Sequence, residues 1–178
     1  MTRFLATQTG QKLAYSFTKG TGPTVVFLGG FKSDMEGSKA IFLEKWAKKR
    51  NRSFLRFDYS GHGQSSGDFL SLGIGDWLKD AMQIIELIKN NDLILVGSSM
   101  GGWISLLLSR ELGSRLKGLI TIAAAPDFTE ESMWKNFTKG QKKEVLNKGV
   151  LYLPSDYGEP YPITHYLIEN GRQNLVLR

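Results

Sequence analysis

The stretch Leu93-Ile94-Leu95-Val96-Gly97-Ser98-Ser99-Met100-Gly101 runs from four apolar residues straight into a serine framed by glycines. This is the pattern of a nucleophile elbow: a buried strand, a tight turn that carries a serine, then a helix. Gly97 and Gly101 stand two before and two after Ser99, where such a turn leaves no room for side chains. The residue between them is pushed into a strained backbone conformation with its hydroxyl exposed. Ser98 competes for that place only on paper, because the glycines frame Ser99. The arrangement suits acyl transfer.

Strand and helix patterns alternate on both sides of this turn. Residues 3–8 and 11–17 alternate enough to form a hairpin turned at Thr9-Gly10, and Thr24-Val25-Val26-Phe27-Leu28 reads as a fully buried strand ending at Gly29-Gly30. Residues 40–50 show helical spacing through Ile41, Phe42, Trp46 and Ala47. Residues 53–59 form another strand, closed by the turn-rich Ser60-Gly61-His62-Gly63-Gln64-Ser65-Ser66-Gly67. The clearest amphipathic helix covers residues 75–89, with Trp77, Ala81, Ile84, Ile85 and Ile88 on one stripe. A helix from Met100 to Leu112 follows the elbow, and Leu119 to Ala123 is a further buried strand. This order predicts an α/β fold with a parallel sheet covered on both faces.

After Pro126 the texture changes. Residues 128–171 carry two or three short helical patterns with Trp134 and Phe137, separated by a Pro- and Tyr-rich stretch from Leu151 to Pro162. The expected organisation is a core over residues 1–126, a cap inserted above the sheet edge over 127–172, and the start of a return to the core over 173–178.

The 178 residues amount to one domain, 41% hydrophobic and 22% charged, as in ordinary globular proteins. Cysteine is absent, which excludes a disulfide framework and a thiolate metal site. The two histidines and the acid spacing build no other metal ligand set. No nucleotide cofactor is implied: Gly29-Gly30 lacks the other glycines of a dinucleotide fingerprint, and no P-loop lysine motif occurs. The net charge of +6 gathers in Lys45 to Arg52 and Lys135 to Lys148. Both runs lie on helical patterns without interleaved stacking aromatics, so they read as solvated helix faces and not as a nucleic-acid surface. Neither a signal peptide nor an apolar run long enough for a membrane span is visible, which leaves a cytoplasmic protein as the default.

Three segments in this order are similar to α/β-hydrolases: the Gly29-Gly30-Phe31 turn, Asp58-Tyr59-Ser60-Gly61-His62-Gly63-Gln64-Ser65, and the elbow. The stretches FLGGFKSDMEGSKA (27–40), GHGQSSG (61–67), VGSSMGGW (96–103) and YLPSDYGEPYPIT (152–164) narrow the resemblance. They point to the subfamily that contains the mitochondrial palmitoyl-protein thioesterase and acyl-glucuronide esterase, over nearly the whole chain. The resemblance implies a three-layer α/β/α sandwich with an N-terminal hairpin, a mostly parallel sheet and a small helical cap. It implies a Ser-Asp-His hydrolase acting on carboxylic esters or acyl thioesters of small molecules. On that pattern Ser99 is the nucleophile, and the backbone N–H groups of Met100 and Phe31 form the oxyanion hole. Asp58 there fastens the turn after its strand and transfers no proton. Such an oxyanion hole makes physical sense, since a tetrahedral oxyanion needs donors about 3 Å away in a water-poor site.

In that family the Asp follows the strand after the cap and the His follows the last strand, whereas this sequence stops at Arg178 before either. Two further βα units, roughly 60 residues or more, are wanted. The resemblance therefore implies a C-terminally truncated hydrolase with its last two strands missing, weak or inactive as an isolated chain. From what remains, chain order alone allows Ser99, Asp127 or Asp156, and His165 as a set. His165 opens a cap-helix pattern and reads chiefly as an ordinary cap residue, while His62 matches a turn position of the family. Met133 and Trp134 stay open as acyl-pocket lining or as plain cap packing; Trp103 and Leu106 to Leu108 read as packing of the elbow helix. The strand 119–123, without neighbours, would be an exposed apolar edge. It is expected to pair with a second copy, a separately encoded C-terminal fragment or the chain's own tail. The alternative to a hydrolase is a degenerate, non-catalytic fold that binds an acyl ligand or a protein partner.

Overall fold

The computed structural model describes residues 1–7, 10–89, 91–154 and 160–178. Its centre is a six-stranded sheet in the spatial order β1 (Arg3–Ala6), β2 (Lys12–Thr18), β4 (Arg52–Phe57), β3 (Thr21–Leu28), β5 (Leu93–Ser98) and β6 (Leu116–Ile122). β1 and β2 form the antiparallel hairpin expected at the N-terminus; Gln8 and Thr9 of its turn lie outside the described residues. β2 also runs antiparallel to β4, and β4, β3, β5 and β6 run parallel.

Successive side chains of a strand point to opposite faces, and the apolar residues divide accordingly. Val26, Leu28, Leu55, Phe57 and Leu95 face one core, which α2 (Ile74–Glu86) and α3 (Met100–Glu111) fill with Trp77, Ala81, Ile84, Trp103 and Ile104. Val25, Phe27, Phe54 and Val96 face the other, covered by Ala40 and Ala47 of α1 (Ser38–Lys49). Helices thus lie on both faces of a mainly parallel sheet, the three-layer sandwich that the element order predicts. β6 ends the strand order, and its Ile120 is 54% exposed.

The segment after Pro126 combines short helical turns and helices with a pair of strands. A wide helical turn over Thr129–Met133 and a single tight turn over Trp134–Asn136 lead into α4 (Lys139–Lys148). β7 (Val150–Leu153) then pairs antiparallel with β8 (Tyr161–Thr164), and α5 (His165–Arg172) follows. The Pro- and Tyr-rich stretch between the helical patterns thus contributes a two-stranded ribbon, with residues 155–159 outside the described residues. An isolated two-stranded ribbon is marginal in water. This one is stabilised by burying Leu151 and Ile163 in the main core, and a two-stranded ladder tolerates Pro162 because edge positions leave N–H groups unused.

On the α1 side of the sheet, Arg56 and Glu44 form a buried ion pair, with guanidinium-to-carboxylate distances of 3.2 and 3.3 Å. Arg56 also donates to Glu36 Oε1 at 2.6 Å and to the Met35 carbonyl at 2.9 Å, which ties the loop after β3 to β4. Burial works to raise the Glu44 pKa, but the Thr18 hydroxyl and the charges of Arg56 and Lys48 outweigh it and hold the carboxyl below its ordinary value. Replacing Glu44 with Ala strands a buried guanidinium beside a half-exposed partner. Urea unfolding of Glu44→Ala at pH 7 is expected to show a loss of about 3 kcal/mol. Because the folded pKa is depressed, this contribution is present above the usual carboxylate range and is lost as the pH falls through it, so wild type and variant should converge in acid.

Candidate active site

β5 ends at Ser98 and α3 starts at Met100, which leaves Ser99 at φ 54° and ψ −117°. For a residue with a Cβ this sparsely populated conformation costs on the order of 1–3 kcal/mol, and the surroundings must hold it in place. They do so through backbone bonds. The Ser99 N–H donates to the Ile122 carbonyl at 3.0 Å, while the Ser99 carbonyl accepts from Gly102 at 2.9 Å and from Ala125 at 3.1 Å. The framing glycines are required by space: a Cβ on Gly97 would land on the Gly101 carbonyl, and one on Gly101 would land on the backbone of Leu28.

That close approach sets the turn after β3 against the serine; a Cβ on Gly30 would stand 3.4 Å from the Ser99 Cβ. The Phe31 ring is wedged among Phe69, Trp77 and Phe128, with centroids at 5.2, 6.0 and 5.7 Å. Met100 is the first residue of α3, where an N–H has no partner within the helix and the helix dipole favours negative charge. Among the described residues no protein acceptor takes the N–H of Phe31 or Met100. Ser99 and Phe31 line a cavity of about 400 Å³ together with Ala125, Phe128, Met133, Leu153, Tyr161 and Ile163. Its walls are mostly apolar, and Ser98 is not among them.

Behind this turn lies a buried polar network centred on Ser60. The Ser60 N–H donates to Asp80 Oδ2 at 2.8 Å, and its carbonyl accepts from Trp77 Nε1–H and from the His62 ring at Nδ1, both at 3.1 Å. The second ring nitrogen, Nε2, accepts the Lys32 N–H at 3.2 Å. These partners select the neutral tautomer protonated at Nδ1, and burial keeps the His62 pKa below its ordinary value. Asp58 accepts from Met35 N–H at 2.6 Å and from Gln64 N–H at 2.9 Å, fastening the two loops. Burial raises the Asp80 pKa to about 6 against the opposing hydrogen bonds from Ser60.

The set allowed by chain order is not assembled. His165, first residue of α5, does not line the cavity; its ring is partly exposed and its Nε2 lies 3.7 Å from Glu169 Oε1. Asp127 is fully buried at φ 55°, and its two carboxylate oxygens accept the N–H groups of Val176 and Leu177, each at 2.9 Å. It therefore pins the segment at Val176 and Leu177, and no histidine is among its hydrogen-bond partners in the described residues. Asp156 lies outside the described residues. His62 has both ring nitrogens engaged, as a structural turn residue would. Of the two candidates for pocket lining, Met133 lines the cavity and Trp134 instead packs with Phe137 and under Arg172. Trp103 packs the elbow helix and donates from Nε1 to the Asn174 carbonyl at 2.9 Å. Phe128, Leu153, Tyr161 and Ile163 also line the cavity, a role the sequence reading does not give them although the last three lie in the stretch 152–164 that carries the resemblance. No group of three or more His, Asp or Glu among the described residues is arranged to hold a metal, and no described helix is long and apolar enough to cross a membrane.

Comparison with known proteins agrees with this geometry. The profile of the serine aminopeptidase S33 family matches residues 21–164. The mitochondrial palmitoyl-protein thioesterase ABHD10 of rat is 35% identical over 167 residues, covering 93% of this chain and 56% of that protein. Its human counterpart is 36% identical over 93% of this chain and 54% of that protein. The chain thus spans a little over half the length of these relatives. A putative hydrolase from Agrobacterium vitis superimposes with a TM-score of 0.93 at 34% identity, covering 99% of this chain and 72% of that one. The mouse α/β-hydrolase domain-containing protein 10 does so with a TM-score of 0.89 at 33% identity, covering 99% and 71%.

Two measurements check the site's physics. Ser99→Gly removes the strain at φ 54° and is expected to raise the unfolding free energy by about 1 kcal/mol; a loss of stability would mean the turn is unstrained. For Asp80 the folded pKa is raised, so its stabilising contribution is complete below the unfolded value and is lost as the pH rises towards 6. Wild type should therefore lose about 2 kcal/mol relative to Asp80→Asn between pH 4 and pH 6.5. Parallel pH profiles for the two proteins would contradict this assignment.

Proposed function

We propose that this chain, which belongs to the serine aminopeptidase S33 family of α/β-hydrolases, cleaves carboxylic esters or acyl thioesters of small molecules through an acyl-enzyme on Ser99. The observation that carries this reading is a strained serine in an apolar cavity, beside two backbone N–H groups with no protein acceptor. Ser99 Oγ adds to the substrate carbonyl carbon while its proton passes to a base. The N–H groups of Phe31 and Met100 receive the developing oxyanion; one donor of this kind contributes about 3 kcal/mol to lowering a barrier. Collapse of the tetrahedral adduct expels the alcohol or thiol with the proton, and water then attacks the acyl carbon and releases the acid. Residues 127–172 act as the cap that walls the acyl cavity. The printed name of the rat relative, a palmitoyl-protein thioesterase, supports acyl thioesters as one substrate class.

The base is supplied by polypeptide other than these 178 residues, since neither histidine lines the cavity. The free edge of β6 supports a route for it. The Ile122 carbonyl at the end of that strand holds the Ser99 turn, so a strand added there would deliver its loops to the cavity mouth. A C-terminal fragment is the favoured donor of that strand, with a second copy of the chain as the other. Alone, the chain keeps an oxyanion hole and a binding cavity, which in serine hydrolases leave a residual 10³–10⁴-fold over water. The engagement of His62 at both nitrogens favours one other reading, a non-catalytic module that binds acyl ligands.

The test is hydrolysis of a short 4-nitrophenyl acyl ester by the purified chain beside Ser99→Ala. Alone, the chain and Ser99→Ala are expected to turn over at the same slow rate, and adding a C-terminal fragment of a family relative that carries the absent base is expected to accelerate only the chain that keeps Ser99. Equal rates for both proteins with the fragment bound would select the non-catalytic module.

A further inference from the structure

Beside the Ser99 cavity lies a second one of about 290 Å³, lined by Lys32, His62, Phe69, Leu70 and Pro162 and by the Gly61 and Gly63 backbone. The two adjoin, because Phe31 and Tyr161 line the first while their chain neighbours Lys32 and Pro162 line the second. The exposed Lys32 side chain stands at their boundary, with Nζ 5.0 Å from the centroid of the Tyr161 ring. Among the described residues its ammonium has no ion pair. Among the described residues no aspartate or glutamate lines either cavity, and burial together with the Lys32 N–H donated to Nε2 keeps His62 neutral. Among those residues the formal charge of the combined site is a single cation, one residue after the Phe31 amide.

The apolar cavity suits the acyl chain of a substrate. The part beyond the scissile bond must then lie on the other side of the carbonyl, where the Lys32 cavity opens. A cation held only by an exposed ring contact exchanges readily for an anion, because such contacts and exposed ion pairs are of similar strength. We propose that Lys32 is a specificity-determining residue that selects esters or thioesters whose leaving group carries a phosphate or carboxylate, seated in this second cavity. The proposal rests on the ester and thioester hydrolase reading given above.

Equilibrium binding of non-hydrolysable thioethers tests it without requiring turnover. The probes are two matched pairs: S-octyl-4′-phosphopantetheine against S-octyl-pantetheine, and the S-octyl derivative of 4-mercaptobenzoate against that of 4-mercaptobenzamide. Titrated calorimetrically against the full chain at low salt, the charged member of at least one pair is expected to bind about fivefold more tightly. The preference should fall below twofold in Lys32→Met, which keeps the aliphatic stem, and should shrink at high salt. Which pair responds assigns phosphate or carboxylate. Equal affinities within both pairs, or a preference that survives in Lys32→Met, would overturn the role of Lys32 and leave the acyl cavity standing. Failure of all four probes to bind would overturn both.

Discussion

The contact between the first turn of α3 and the end of β3 is the constraint on which the rest of the site depends. β3 and β5 pair in parallel with Leu28 opposite Gly97, so both strands end at the same level of the sheet. The helix that leaves β5 then runs so close to β3 that Gly101 rests on the Leu28 backbone without space for a methyl group. Two consequences follow from one approach. The residue between strand and helix, Ser99, is forced to positive φ, and the chain leaving β3 is forced to turn over it at Gly29-Gly30. The turn that carries Phe31 is thereby set against the serine beside the first turn of α3, and the His62 ring holds that turn through the Lys32 N–H. Strain at the serine is maintained by packing elsewhere, as expected where a fold over-determines one backbone position.

Loops at the carboxyl ends of parallel strands carry the chemistry of such sheets, and here they are made rigid by buried polar groups. Ser60, Asp80, Trp77 and His62 satisfy one another and present Nε2 to the Lys32 amide; Asp58 spans two loops with its two oxygens. A buried polar group without a partner is costly, so a complete network of this kind specifies one conformation more sharply than apolar packing does. His62 is thus a stay for the turn that holds Phe31, and its neutrality is a consequence of burial and of the Lys32 N–H at Nε2, which outweigh the Ser60 carbonyl.

The two faces of the sheet are unequally covered. α2 and α3 bury a continuous core on one face, whereas on the other α1 leaves Phe42 71% and Trp46 39% exposed, near Ile122 of β6. The lysines of that helix, Lys39, Lys45, Lys48 and Lys49, are exposed on it as well. The second basic run is partly neutralised locally, with Lys135 paired to Glu131 and Lys148 to Glu144, and with Lys142 over the Trp134 ring. Lys32, by contrast, has no ion pair among the described residues and stands beside a cavity.

Much of the architecture was legible in the sequence because it is written in local terms. A continuous apolar run marked Thr24 to Leu28 as a fully buried strand, helical spacing placed Trp77 to Ile88 on one stripe, and glycine spacing singled out Ser99. Each of these signals needs only residues within a turn or a strand of one another. The β7–β8 ribbon was not legible, since Leu151 and Ile163 pair across a connection and gain their burial from a distant core. Nor were the partners of Asp127, whose carboxylate is taken up by amides 49 and 50 residues further on, or of His62, whose tautomer is chosen by an amide 30 residues earlier. Chain order allowed Ser99, Asp127 and His165 to meet, and only the tertiary structure decided that they do not. A linear sequence records which groups exist, while the distances that decide which of them can exchange a proton are set by the packing of the whole chain.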